Sequence, residues 1–161
     1  VRSRGLGDVY KRQVKTISLT YKKMPFLRIA PICNGKIYVA PRSYQGEEPG
    51  KLDIPMEDYI YACKTDTDKY AKEVENKYSN HITGQPEPRF SLKHLVKETN
   101  GVKKTIMLYI LPLNDEEQIH FTGGKFVTPE EIEMNSAQYS SFLKEEVDHL
   151  NIVAQMWEEF K

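Results

Sequence analysis

The residues best suited to chemistry in this 161-residue chain are acids, and their spacing decides what they can do. One candidate is the stretch Lys72-Glu73-Val74-Glu75-Asn76-Lys77. Positions i, i+3 and i+4 of a helix share one face, so Glu73, Asn76 and Lys77 would stand together and Glu75 apart from them. Three carboxylates on such a face could hold a hard divalent cation, which needs several oxygens converging on one point. Here the face offers one carboxylate, one amide and one ammonium. In a purely structural role, Glu73 and Lys77 can instead form an i,i+4 ion pair worth about 0.3–0.5 kcal/mol. Asp115-Glu116-Glu117 could supply a metal ligand or a general base, but an acidic run in a turn is also an ordinary solvated loop. His81, His94, His120 and His149 share no metal-ligand spacing with one another or with Cys33 or Cys63, and read as hydrogen-bonded or solvent-facing. The two cysteines read as reduced thiols. No phosphate-cradling glycine motif, nucleophile elbow or HExxH is present.

The elements that would position these residues follow from hydropathy period. Residues 14–21 alternate and read as a strand. Phe26 to Ile32 and Lys36 to Ala40 are apolar runs separated by Asn34-Gly35, the dipeptide that suits the positive φ angles of a type I′ hairpin turn. Ser43 to Lys51 is a loop, with short strands at Leu52 to Pro55 and Tyr59 to Tyr61. From Thr65, read as a cap, to Tyr78 the period becomes helical, with Tyr70, Val74 and Tyr78 in one stripe beside Ala71. Phe90 to Glu98 and Thr105 to Leu113 are strands around Asn100-Gly101, and Lys125 to Val127 is a last short strand. Thr128-Pro129-Glu130-Glu131 starts a helix that runs to Met134. Tyr139 to Phe160 is a long helix with Leu143, Val147, Leu150, Val153 and Trp157 as its buried stripe. This order predicts an α+β fold, an α/β/α sandwich with a mixed sheet between helices and a long C-terminal helix.

Composition narrows the function classes. The chain is one domain's worth, and 39% apolar with 29% charged residues suits a globular protein rather than a disordered one. No apolar run is long enough to span a membrane. The first 13 residues, VRSRGLGDVYKRQ, resemble translated sequencing-adapter sequence, so residues 14–161 are taken as the domain. Four of the 23 basic and one of the 23 acidic residues lie in that segment; 19 and 22 remain, a net charge of −3, which gives no reason to expect a nucleic-acid partner. The domain is expected to be cytoplasmic and to be the C-terminal part of a longer protein with a fused upstream domain.

The order of motifs resembles the Nudix hydrolase superfamily. Gly35-Lys36-Ile37-Tyr38-Val39-Ala40-Pro41-Arg42 is similar to the family's second strand, which usually ends in Arg. Pro49-Gly50-Lys51-Leu52-Asp53-Ile54-Pro55 resembles its "PGxWxxP" approach. Lys72 to Asn80 falls where the helix "REUxEExGU" belongs, and Gly124 to Ile132 resembles the ending "xxxWxxxEEL". The resemblance covers residues 17–160. It implies a Nudix-like fold and, in an intact member, Mg²⁺-assisted hydrolysis of a diphosphate linked to another group.

The departures bear on activity. Met56-Glu57 follows Pro55 where the family has two glycines, and the Gly-Glu before the helix is missing around Ala62-Cys63-Lys64. Lys72 replaces the Arg, Glu73 survives, Asn76-Lys77 replaces the Glu pair and Ser79 replaces the Gly. The expectation is a catalytically inactive Nudix-like domain without a cofactor, a regulatory module binding a nucleotide or phosphorylated metabolite. Arg42, Glu57, Glu73 and Lys77 are expected to line its cleft. Two alternatives stand beside it. One is a divergent pyrophosphohydrolase holding Mg²⁺ through Glu73, Glu75 and Glu57 or Asp58. The other is an interaction domain that uses the sheet and the C-terminal helix, with an empty cleft. Separately, the stripe on Tyr139 to Phe160 is expected to pack on the sheet, with a homodimer contact as its alternative role.

Overall fold

A computed structural model describes residues 26–60, 67–97 and 103–161. The expected strand at 14–21, the cap Thr65, the turn Asn100-Gly101 and Cys63 lie outside the described residues.

Seven strands form one mixed sheet: β1 (Phe26–Cys33), β2 (Lys36–Pro41), β3 (Leu52–Asp53), β4 (Met56–Tyr59), β5 (Arg89–Lys97), β6 (Lys103–Pro112) and β7 (Lys125–Val127). The path runs β3-β2-β1-β6-β5, with β4 on β1 and β7 on β2. Among the described strands only β1 and β6 pair in parallel with each other; the other strand pairings are antiparallel. Helix α1 (Thr67–Lys77) covers one face; α2 (Pro129–Met134) and α3 (Ser141–Glu159) cover the other.

Local chemistry accounts for the boundaries. Asn34 and Gly35 both take positive φ, 53° and 73°, so the β1–β2 hairpin turns where Asn-Gly predicted. The Thr128 side chain accepts from Glu131 N and Pro129 opens α2, as the sequence implied. Ser140 caps α3 by accepting from Leu143 N. The α3 stripe is wider than the sequence suggested. Phe142, Leu143, Glu146, Val147, Leu150 and Ala154 are buried, while Val153 and Trp157 pack at its margin. The fourth strand lies earlier than the expected 59–61, at Met56–Tyr59, because its register is set by β1: Phe26 faces Tyr59 and Ile29 faces Met56.

This register shapes the site. β1 pairs with β4 over Phe26 to Ile29 and with β2 at Ile32 and Cys33. It changes partner at Ala30-Pro31, where a proline costs no ladder donor. β2 and β4 therefore occupy different ends of one edge of β1.

Candidate functional site

A cleft of about 450 Å³ opens beside the end of β2 and β4. Ala40, Pro41 and Arg42 from the end of β2, Ser43 and Gly46 from the following loop, and Asp53 to Pro55 with Glu57 form one side. Tyr78, His81, Phe121 and Thr122 form the other. The ring of His81 stacks on Phe121, with centroids 4.0 Å apart and planes within 7°. His81 Nδ1 lies 2.9 Å from the carbonyl of His120. A carbonyl only accepts, so Nδ1 carries the proton in this contact. One wall is thus aromatic and the other charged.

The charged wall belongs to a buried network. Arg28 stands in the apolar run of β1, fully shielded from solvent, and its guanidinium meets carboxylates from three elements. It donates to Asp53 Oδ1 at 2.6 Å, to Glu57 Oε2 at 2.6 Å and to Glu146 Oε1 at 2.8 Å. Arg42 Nη1 reaches Asp53 Oδ2 at 2.5 Å and Glu57 Oε1 at 3.1 Å. His94 Nε2 contacts Glu146 Oε2 at 3.0 Å from the β5 side. The Phe142 ring lies beside both guanidinium groups, 5.3 Å from Arg28 and 5.6 Å from Arg42. Burial alone would lower the Arg28 pKa, but Asp53 and Glu146 hold it well above its ordinary value. Burial would likewise raise Asp53, yet Arg28 and Arg42 keep it below the usual carboxylate range. Glu57 goes the other way: burial pushes it up, the Arg28 charge opposes that, and neighbouring Asp53 adds to the rise.

The two carboxylates therefore act on stability with opposite sign. Ionised Asp53 contributes stability present above about pH 4, the unfolded value, and lost as pH falls through its lower folded value. Glu57 binds its proton more readily when folded, so the folded state gains as pH falls toward the unfolded value of about 4.3. In urea titrations, wild type should gain stability relative to Glu57→Gln as pH falls from 7 to about 4.3. A difference that stays flat over that range contradicts this assignment.

Of the residues the sequence singled out, Arg42 and Glu57 line the cleft. Glu73 and Lys77 are exposed on α1 and are not among its lining residues. The phase of α1 explains this. Ala71, Val74 and Glu75 face inward, which turns Glu73, Asn76 and Lys77 outward. Lys77 Nζ lies 2.9 Å from Asp58 Oδ2 on β4. Lys72 Nζ comes within 2.9 Å of Glu75 Oε2, but that buried oxygen has no hydrogen bond, so the contact is ionic and misaligned. The acidic turn is a structural one: Asp115 accepts from Glu117 N, and Glu116 accepts from Asn34. His149 pairs with Ser91, and Cys33 is a buried free thiol.

The sequence reading did not single out Arg28, Asp53 or Glu146, and of His94 it had only that the ring is hydrogen-bonded or solvent-facing; the bond to Glu146 is the first of these. A signal was present. A lone Arg inside FLRIAPIC must find anions, and Glu146 falls between Leu143, Val147 and Leu150 on the buried stripe of α3.

A divalent cation fits this donor set poorly. Asp53 and Glu57, the carboxylates that face the cleft, already bind arginines. Among the described residues no three of His, Cys, Asp and Glu gather as a metal-holding group. No helix among them is long and apolar enough to cross a membrane.

The sequence matches no protein-family model and no curated protein. Solved structures do match. A Nudix hydrolase from Nitrosomonas europaea superposes with a TM-score of 0.57 at 10% identity, covering 82% of this chain and 90% of that one. The dihydroneopterin triphosphate pyrophosphohydrolase of E. coli gives 0.57 at 15% identity, over 83% and 99%. The Nudix domain of Shewanella oneidensis NrtR, crystallised with ADP-ribose, gives 0.53 at 12% identity, over 86% and 89%. The chain has the Nudix-like fold, with the mixed sheet and long C-terminal helix that its motifs implied.

Proposed function

We propose that this chain is a non-hydrolytic Nudix-fold module that binds a nucleotide or other phosphorylated metabolite in the cleft between Arg42 and His81. The observation that supports it is the engagement of the cleft's carboxylates. Asp53 and Glu57 face the cavity but are already bound to Arg28 and Arg42. Carboxylates neutralised in this way hold a fold together more readily than they gather Mg²⁺. The helix positions that carry the family's acids hold Asn76 and Lys77 and point to solvent. What remains suits binding: the Arg42 guanidinium for phosphate oxygens and a stacked ring pair beside which an aromatic base can lie. That the NrtR domain holds ADP-ribose makes this metabolite the natural first probe.

Calorimetry on the full chain tests the reading. ADP-ribose should bind equally well with EDTA and with Mg²⁺ or Mn²⁺, and should be recovered intact. Binding that requires the cation and disappears in Glu73→Gln would replace this reading with the divergent hydrolase. A domain that binds no nucleotide under either condition would point instead to the interaction domain with an empty cleft.

A further inference from the structure

The cleft already contains a carboxylate against its arginine: Glu57 and Arg42 both line it and are in contact. Arg42 is the cationic side chain that lines the cleft, and its surroundings fix it in place. Its Nε donates to the Glu47 carbonyl at 2.8 Å, and Nη1 is shared between Asp53 and Glu57. Among the described residues no hydrogen bond involves its Nη2, although the side chain is only 13% exposed.

The loop after Arg42 is tied down as well. The Glu48 carboxylate accepts from Ser141 N and Oγ at the first turn of α3, and Lys51 Nζ donates to the Ala137 carbonyl. The guanidinium is thus preorganised at the mouth of a cavity.

The two oxygens of Glu57 are not equivalent. Oε2 makes a 2.6 Å bond to fully buried Arg28, while Oε1 makes the longer 3.1 Å contact to Arg42. A small rotation about the Glu57 side chain can release Arg42 and keep Arg28. Asp53 lacks this freedom, because both its oxygens are engaged: Oδ1 by Arg28 and by Ile54 N, Oδ2 by Arg28 and by Arg42.

We infer that Glu57 is a built-in competitor for Arg42. A phosphoryl group entering the cleft takes the Arg42 contact that Glu57 Oε1 holds, and Glu57 falls back on Arg28. This rests on the reading of the cleft as a phosphometabolite site and adds a residue that weakens it. A like charge at contact range from an incoming phosphate opposes binding, so the native domain holds its ligand loosely and exchanges it readily.

The test is a gain of affinity, which a damaged fold cannot produce. Pyrophosphate and ADP-ribose are titrated by calorimetry into wild type, Glu57→Gln, Glu57→Asp and Arg42→Gln. Glu57→Gln should bind both probes tighter, on the order of tenfold. Glu57→Asp withdraws the carboxylate by one methylene and should shift affinity the same way by less. Arg42→Gln should weaken binding by a similar factor or abolish it. If wild type binds but neither Glu57 variant binds more tightly, the competitor role is wrong and the binding site stands. If no form binds either probe, the reading of the cleft falls and this inference falls with it.

Discussion

Arg28→Met should destabilise the fold by about 3–5 kcal/mol, the usual effect of removing one partner from a buried ion pair. A domain of this size has about 5–15 kcal/mol in total, so the variant should unfold at much lower urea or express poorly. The reason is geometric. Arg28 is the common partner of Asp53, Glu57 and Glu146, which come from β3, β4 and α3. Arg42 can still neutralise Asp53 and Glu57, but it does not reach Glu146 in the network. Without Arg28, Glu146, itself fully buried, keeps among the described residues only the imidazole of His94. The loss should therefore be coupled to Glu146. Adding Glu146→Leu to Arg28→Met should recover part of it, because an apolar pair of similar volume can replace a buried ion pair at little cost. Arg28→Lys should recover less, since one ammonium cannot meet carboxylates in three directions. A loss below about 1 kcal/mol for Arg28→Met, or strict additivity with Glu146→Leu, would show that the network is not what joins α3 to the sheet edge.

The same network marks the limit of what the chain showed before folding. Local signals were legible: Asn34-Gly35 turned the hairpin, Thr128-Pro129 opened α2, and the Leu143–Val147–Leu150 stripe seated α3. Each of these is decided within a few residues. The order of motifs was legible too, through resemblance, and with it the Nudix-like fold. The phase of α1 was readable in part. The stripe of Tyr70, Ala71, Val74 and Tyr78 already implied that Glu73 and Lys77 lie off the buried side. The expectation that they line the cleft came from family position instead of from that stripe. The charge network was out of reach because its partners are remote: Arg28 and Glu146 are separated by 118 residues and meet only once β1 and α3 have packed. Composition could say that a buried Arg needs anions, but not which ones. The aromatic wall was equally hidden, since His81 and Phe121 belong to separate loops and were not paired by any spacing.

That aromatic wall depends on a contact that tolerates no side chain. Gly124 follows the turn that presents Phe121, and a Cβ there would sit 2.0 Å from Tyr38 Oη and 2.4 Å from Tyr38 Cζ. Tyr38 cannot move away easily. It is buried on β2, its ring packs edge-on against Phe126 at 5.0 Å, and its hydroxyl accepts from Phe121 N at 2.8 Å. Gly124→Ala must therefore displace the ring or the turn. Overpacking of this kind costs about 1–3 kcal/mol, and the lost hydrogen bond adds about 0.5–1.5 kcal/mol. A total near 2–4 kcal/mol is expected, read as a shift in urea midpoint at unchanged slope. Removing the hydroxyl alone should not rescue the variant, because in Tyr38→Phe the ring carbon still lies inside contact distance. Tyr38→Leu/Gly124→Ala should be less unstable than the sum of its parts, since leucine vacates the space the new methyl needs. The binding readout separates packing from function. Phe121 carries the His81 stack, so Gly124→Ala should weaken ADP-ribose binding even at temperatures where the fold is intact. A variant with wild-type stability and wild-type affinity would mean that Tyr38 does not fix the turn that builds the wall.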